Sequence, residues 1–175
     1  LDRGRALSLC LTVPHGVLSD QKGGMWIADT FNAKIRKVDK HGRATTVFGG
    51  RCNNISWVCK QNGPASKVKL SLPIAVKPSP QGLLITDAGT HRVLLLHNNR
   101  VSVIAGDGNP GFSGDGGRAQ SARLHSPQDA VFYQGQILIA DGGNCRLRLI
   151  NKKGIIKTIA GEGTSIESCQ EHIDS

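Results

Sequence analysis

The sequence predicts an all-β fold assembled from repeated four-stranded antiparallel units, and three observations predict it. One pattern occurs three times, as MWIADTFNAKIRKVDKHGRATTVFGG from Met25, LLITDAGTHRVLLLHNNRVSVIAGDG from Leu83 and ILIADGGNCRLRLINKKGIIKTIAGEG from Ile137. Asp29, Asp87 and Asp141 are its homologous points, and a spacing of roughly 55 residues belongs to propellers, solenoids and arrays. No stretch keeps a helical apolar period for long, because Gly or Pro interrupts it. An eleven-residue connector ending in Pro precedes each copy: GRALSLCLTVP from Gly4, GPASKVKLSLP from Gly63 and GRAQSARLHSP from Gly117.

Each complete unit then holds four strands. Strand a follows the connector Pro at His15 to Leu18, Ile74 to Lys77 and Gln128 to Phe132, since Pro is tolerated where the ladder has not yet begun. Strand b runs into the Asp, strand c follows the turn, and strand d runs into a Gly. Segments such as LLIT and ILIA are apolar without alternation, as suits strands covered on both faces. Four-stranded units of even spacing with one glycine-marked motif each are the signature of a β-propeller. The expected organisation is a partial, open propeller over residues 1–175, with blades at 14–50, 73–108 and 127–163. Connectors fill 51–72 and 109–126, and truncated ones 1–13 and 164–175. Three blades do not close a ring of the usual four to eight, so further blades are expected from additional chain or from a second copy.

The elements IAD-x-x-N-x-R-I-R, T-x-A-G and GFSGDGG-x-A-x-x-A-x-L-x-x-P resemble those of NHL-repeat propellers of the long-connector kind. Ala28, Asp29, Asn32 and Ile35 to Lys37 carry the match in the first unit, and Ala140, Asp141, Asn144, Arg146 and Arg148 in the third. The second unit departs at Thr90, in place of Asn, and at Leu94, in place of Arg. The resemblance implies an architecture, typically of six blades, and not a reaction. Propellers of this kind serve as scaffolds for protein or RNA, and relatives act as lyases or hydrolases; fold does not choose among these uses.

The recurring Asp29, Asp87 and Asp141 read as structural turn residues, because Asp in turns bonds local backbone. The basic residue five positions on, Lys34, Arg92 or Arg146, is expected to lie beside each carboxylate. The glycines from Gly106 to Gly117 read as tight turns, since the stretch lacks the Lys-Ser or Lys-Thr of a phosphate-binding loop. The histidines form no ligand pair of the kind zinc favours, and Ser113 lacks the strand-to-helix elbow of a hydrolase nucleophile. No catalytic residue, metal or cofactor is therefore assigned. Cys52 and Cys59 bracket NNISWV in the longer second connector. They form either a local disulfide, which would argue for a secreted or lumenal setting, or two free thiols.

The net charge is +9 and is unevenly placed. Residues 30–86 carry ten Lys or Arg against one acid, Asp39, while the remainder is balanced. Such a field can steer an acidic or phosphate-rich partner. Lys34, Arg36, Lys37 and Arg43, with Phe31 and Trp57 as the exposed aromatic pair, are the candidate contact residues. No apolar run reaches the roughly 18 residues of a membrane-spanning helix. The sequence thus favours a non-enzymatic scaffold presenting loops to a protein partner. RNA or another polyanion on the basic segment is the first alternative, and a channel-centred metal-dependent lyase or hydrolase the second.

Overall fold

The computed structural model describes residues 3–52 and 62–162. Fourteen strands and short 3-10 turns make up its regular structure, with no α-helix among the described residues. In the first sheet β1 (Arg3–Arg5), β2 (Pro14–Ser19), β3 (Met25–Asp29), β4 (Lys34–Val38) and β5 (Arg43–Gly49) lie in the order β1-β5-β4-β3-β2. The second repeats it with β6 (Gly63–Pro64), β7 (Pro73–Ser79), β8 (Gly82–Asp87), β9 (Arg92–His97) and β10 (Arg100–Ala105), ordered β6-β10-β9-β8-β7. The third has β11 (Asp129–Tyr133), β12 (Gln136–Asp141), β13 (Arg146–Ile150) and β14 (Ile156–Ala160) in sequence order. The sheets are antiparallel and do not close into a ring.

The connectors add a feature that the sequence pattern does not show. β1 and β6 extend the outer edges of their sheets, pairing with β5 and β10. In the third sheet Arg118 bridges Ile155 in the same place, and the Ala119 amide donates to the Gly154 carbonyl. Each connector therefore covers the outer edge of its sheet before turning inward to the first strand, which protects backbone groups that an open edge would expose.

Apolar layers lie between neighbouring sheets, with the connector threaded through them. Ala28, Ile35 and Phe48 of the first sheet meet Ile85, Leu94 and Leu96 of the second, with Ala65, Val68 and Leu70 of the connector among them. The next layer joins Leu84, Val93 and Ala105 to Ile139, Ile150 and Ile156 through Ala119, Ala122 and Leu124. The recurring Ala and Leu of the second and third connectors, Ala65, Leu70, Ala119 and Leu124, are thus core residues. Burying one such leucine contributes about 1.5–3 kcal/mol. The outward face of the first sheet gathers a smaller cluster of Ile27, Val38 and Ala44, with Ala6 and Leu9 against it.

The glycine ending strand d is demanded by close approach. A Cβ on Gly106, at φ +94°, would sit 2.1 Å from the His91 carbonyl oxygen, and one on Gly161 would sit 2.1 Å from that of Cys145. Both carbonyls belong to residues that are themselves left-handed, at φ 55° and 51°.

Candidate functional site

Each recurring carboxylate is buried and fastens the connector that leads into its own sheet. Asp29 accepts from the Thr12 amide at 2.9 Å, Asp87 from the Leu72 amide at 2.8 Å, and Asp141 from the His125 amide at 2.8 Å. Asn32 bonds Asp29 and reaches the Cys10 carbonyl, and Asn144 does the same between Asp141 and the Gly111 carbonyl. Thr90 takes the place of Asn in the second unit and donates to Asp87 at 2.7 Å. Buried carboxylates are stabilised by such backbone donors, which charge assistance strengthens.

In two of the units a further cation meets the carboxylate. Arg36 donates to Asp29 at 2.9 Å and also reaches Thr46, and Arg148 donates to Asp141 at 3.2 Å. These residues lie seven positions after the Asp, whereas Lys34, Arg92 and Arg146 lie five after it. Arg92 interacts electrostatically with Asp87 and holds the Gly106 and Asp107 carbonyls, and Arg146 holds those of Asn144 and Glu162. Lys34, Arg92 and Arg146 are the backbone partners of the Asp residues across the ladder, and the arginine two residues further along the same face reaches the same carboxylate in the first and third units. Leu94 occupies that position in the second unit and packs in the apolar layer.

Arg148 is the hub of the third unit. Its side chain is fully buried, and besides Asp141 it holds Asp115 at 2.6 Å and the Ser113 carbonyl at 3.1 Å. The Phe112 ring lies 3.9 Å from the Arg146 guanidinium and 4.8 Å from that of Arg148. The glycine-rich connector is thereby wrapped around one cation. Desolvation raises the Asp141 carboxyl above its ordinary value, against the opposing pull of Asn144, His125 and Arg148. Partial desolvation also pushes Asp115 upward, but the Thr158 and Arg148 bonds outweigh it and hold this carboxyl below its usual range. His91 is depressed by desolvation first and then by His125 and Arg92, and its Nδ1 accepts the Ser126 amide at 3.1 Å.

The candidate contact residues separate in space. Arg36 is 3% exposed and committed to Asp29, so its assignment to an anion-binding surface is corrected here: the ion pair requires it inside. Lys34 begins β4 beside the turn that carries Phe31, which is 45% exposed. Lys37 lies over the Trp26 ring at 4.8 Å and 3.7 Å from Asp20. Arg43 pairs with Asp39 at the opposite end of the sheet, roughly 13 Å of strand away from Lys34. Lys34 and Arg43 therefore lie at opposite ends of the sheet. Trp57 and Cys59 lie outside the described residues. Cys52 is disulfide-bonded, as is Cys145, for which nothing in the sequence pattern signals a bridge; Cys10 is a free thiol. Among the described residues no three His, Cys, Asp or Glu side chains cluster as a metal site would need.

Cavities open between neighbouring sheets. One of 350 Å³ opens at the b–c turns between the first and second sheets, lined by Phe31, Arg51, Cys52, Leu70, Ser71 and Leu72. The Arg51 guanidinium donates to the Phe31 carbonyl at 2.8 Å across its wall. A larger one, of 560 Å³, opens at the opposite ends of the strands between the second and third sheets.

A family model described as the teneurin NHL domain matches residues 1–111, more than half of the chain. The chain belongs to the teneurin NHL family. It is similar to teneurin-1 of Gallus gallus, 30% identical over 190 aligned residues that take in 98% of this chain and 7% of the relative. With teneurin-1 of Homo sapiens it is 28% identical, across 95% of this chain and 6% of the relative. It thus spans less than a tenth of the length of these teneurins. NHL repeat-containing protein 2 of Gallus gallus is 32% identical over 106 residues, covering 59% of this chain and 14% of that protein. Among solved structures, a nidogen/laminin complex matches with a TM-score of 0.57 at 14% identity, over 86% of this chain and 49% of the matched one. A streptogramin B lyase matches with 0.58 at 16% identity, over 93% and 46%. At such identities the likeness is one of fold.

Proposed function

We propose that this teneurin NHL segment is a non-catalytic scaffold that binds a protein partner through the face formed by its b–c turns and connectors. The observation that carries the proposal is the cavity beside Phe31. Phe31 and Leu72 are 45% and 39% exposed although both flank a well-packed layer. Arg51 stands at the same cavity, and aromatic and arginine side chains around an apolar depression are the usual composition of an interface hot spot. The cavity walls are held by the Arg51 bond to Phe31 and by the pairing of Arg51 with Leu70, which lowers the ordering entropy that opposes binding. The recurring carboxylates, by contrast, are spent on fastening connectors.

The test is site-directed photo-crosslinking of the intact protein on cells, with the reactive group placed at Phe31 in one variant and at His41, on the opposite face, in another. The expected result is a discrete protein adduct from position 31 only, lost when Leu72 is changed to Glu and formed equally in low and moderate salt. Nuclease-sensitive adducts, or adducts that vanish as salt rises, would support a polyanion partner instead. Equal adducts from both positions would overturn the assignment of the face.

A further inference from the structure

We propose that the 560 Å³ cleft between the second and third sheets is a binding site for a small amphipathic anion, an aliphatic carboxylate in particular. It lies at the end of the strands away from Phe31 and is independent of the protein-binding proposal. Its volume falls within the range of about 300–1,000 Å³ usual for small-molecule pockets. Leu84, Leu95 and Ile104 form one wall, and Phe132, Ile137 and Ile150 the other. Arg118, Lys152 and Lys153 stand at the mouth, and no Asp or Glu is among the lining residues. Gly135 leaves room for the Lys152 stem, since a Cβ there would meet the Lys152 Cε at 2.4 Å. The stem can therefore rest on the a–b turn with its ammonium over the opening.

The repeat supplies an internal comparison. One sheet earlier, Trp26 holds the position of Leu84, with Lys37 in the place of Leu95 and its ammonium over the indole. Trp26 packs there against the layer that also includes Val47 and Leu83, so the indole and the lysine occupy the space between the first and second sheets. The next gap has leucines in both places and is open. The mouth changes as well. The c–d turn of the second sheet carries Asn98, Asn99 and Arg100, and its connector Pro64, where the third sheet has Lys152, Lys153 and Gly154, and its connector Arg118. The residues that open the gap and those that charge its mouth thus differ together from the preceding repeat. An apolar tail would bury against the leucine and isoleucine walls, and a carboxylate head would meet two ammonium groups and a guanidinium.

Decanoate, with decanol as its uncharged counterpart, tests this by calorimetric titration of the full chain. The unaltered chain is expected to bind decanoate, and the Lys152→Asn/Lys153→Asn variant to bind it about tenfold more weakly while its affinity for decanol changes by less than about twofold. Leu84→Trp, which installs the side chain of the preceding repeat, is expected to abolish binding of both. Circular dichroism melts establish that each variant is folded, and the surface lysine pair keeps the test decisive should Leu84→Trp fail to fold. Absence of decanoate binding to the unaltered chain, undiminished decanoate binding in the lysine variant, or undiminished binding of either probe in folded Leu84→Trp would overturn the proposal.

Discussion

Arg148 and Asp141 form an ion pair at 3.2 Å with both side chains at 0% exposure, and the guanidinium extends from there to Asp115 in the glycine-rich connector. A buried pair of this kind is costly to break from one side, because the remaining charge has no solvent to return to. Asp141→Ala is therefore expected to destabilise the fold by about 3–5 kcal/mol in denaturant unfolding. The double variant Asp141→Ala/Arg148→Leu, which copies the Leu94 of the second unit, should recover a large part of that loss.

His91 makes stability depend on pH in a stated direction. Its folded-state value is depressed by desolvation, by His125 and by Arg92, so the unfolded chain takes up a proton that the folded chain resists. The contribution is fully present above about pH 6.5 and is lost as pH falls through that value toward the folded one. The melting midpoint should drop between about pH 7.5 and 5.5, and His91→Asn, which tolerates the left-handed backbone, should flatten the drop. An equal drop in both proteins would remove His91 as its cause.

Two glycines with similar torsions separate backbone strain from steric collision. Gly116 has φ +81° and open space where a Cβ would be, whereas Gly106 has φ +94° and the His91 carbonyl 2.1 Å from that position. Gly116→Ala is expected to cost about 1 kcal/mol, and Gly106→Ala several times more, measured by equilibrium unfolding. Similar losses would show that the strand can move away from His91.

A core substitution tests the connector as part of the interior. Leu124 is fully buried between the second and third sheets, so Leu124→Ala should cost about 2–5 kcal/mol. Leu7 is fully exposed, and Leu7→Ala should leave the unfolding midpoint unchanged.

Much of this architecture is legible in the sequence because the repeat displays it three times. The spacing of Asp29, Asp87 and Asp141 marks the strand pattern, and the connector Pro residues mark where strand a begins. The short outer strands are not legible, since Arg3–Arg5 and Gly63–Pro64 carry no apolar pattern and gain their place only by pairing with β5 and β10. The carboxylate was legible as a turn brace, but the further arginine seven positions on was not, because it reaches the carboxylate from two residues along the same face. The departures at Thr90 and Leu94 were the available signal: a unit that lacks the motif Asn also lacks the arginine that shares its carboxylate. The open cleft depends on Leu84 and Leu95 replacing Trp26 and Lys37 across a gap between sheets, a relation that only the packing reveals.

Each recurring carboxylate fastens its connector, and Asp87 allows the cleanest measurement because no arginine follows it at the seventh position. The Leu72 amide donates to Asp87 at 2.8 Å and the Ser71 amide at 3.2 Å. Amide hydrogen exchange followed by NMR in Asp87→Ala should show Leu72 exchanging at least about tenfold faster than in the unaltered chain, with the strand amide of Ile85 little changed, as expected of a local opening. Unchanged protection at Leu72 in the folded variant would contradict the account.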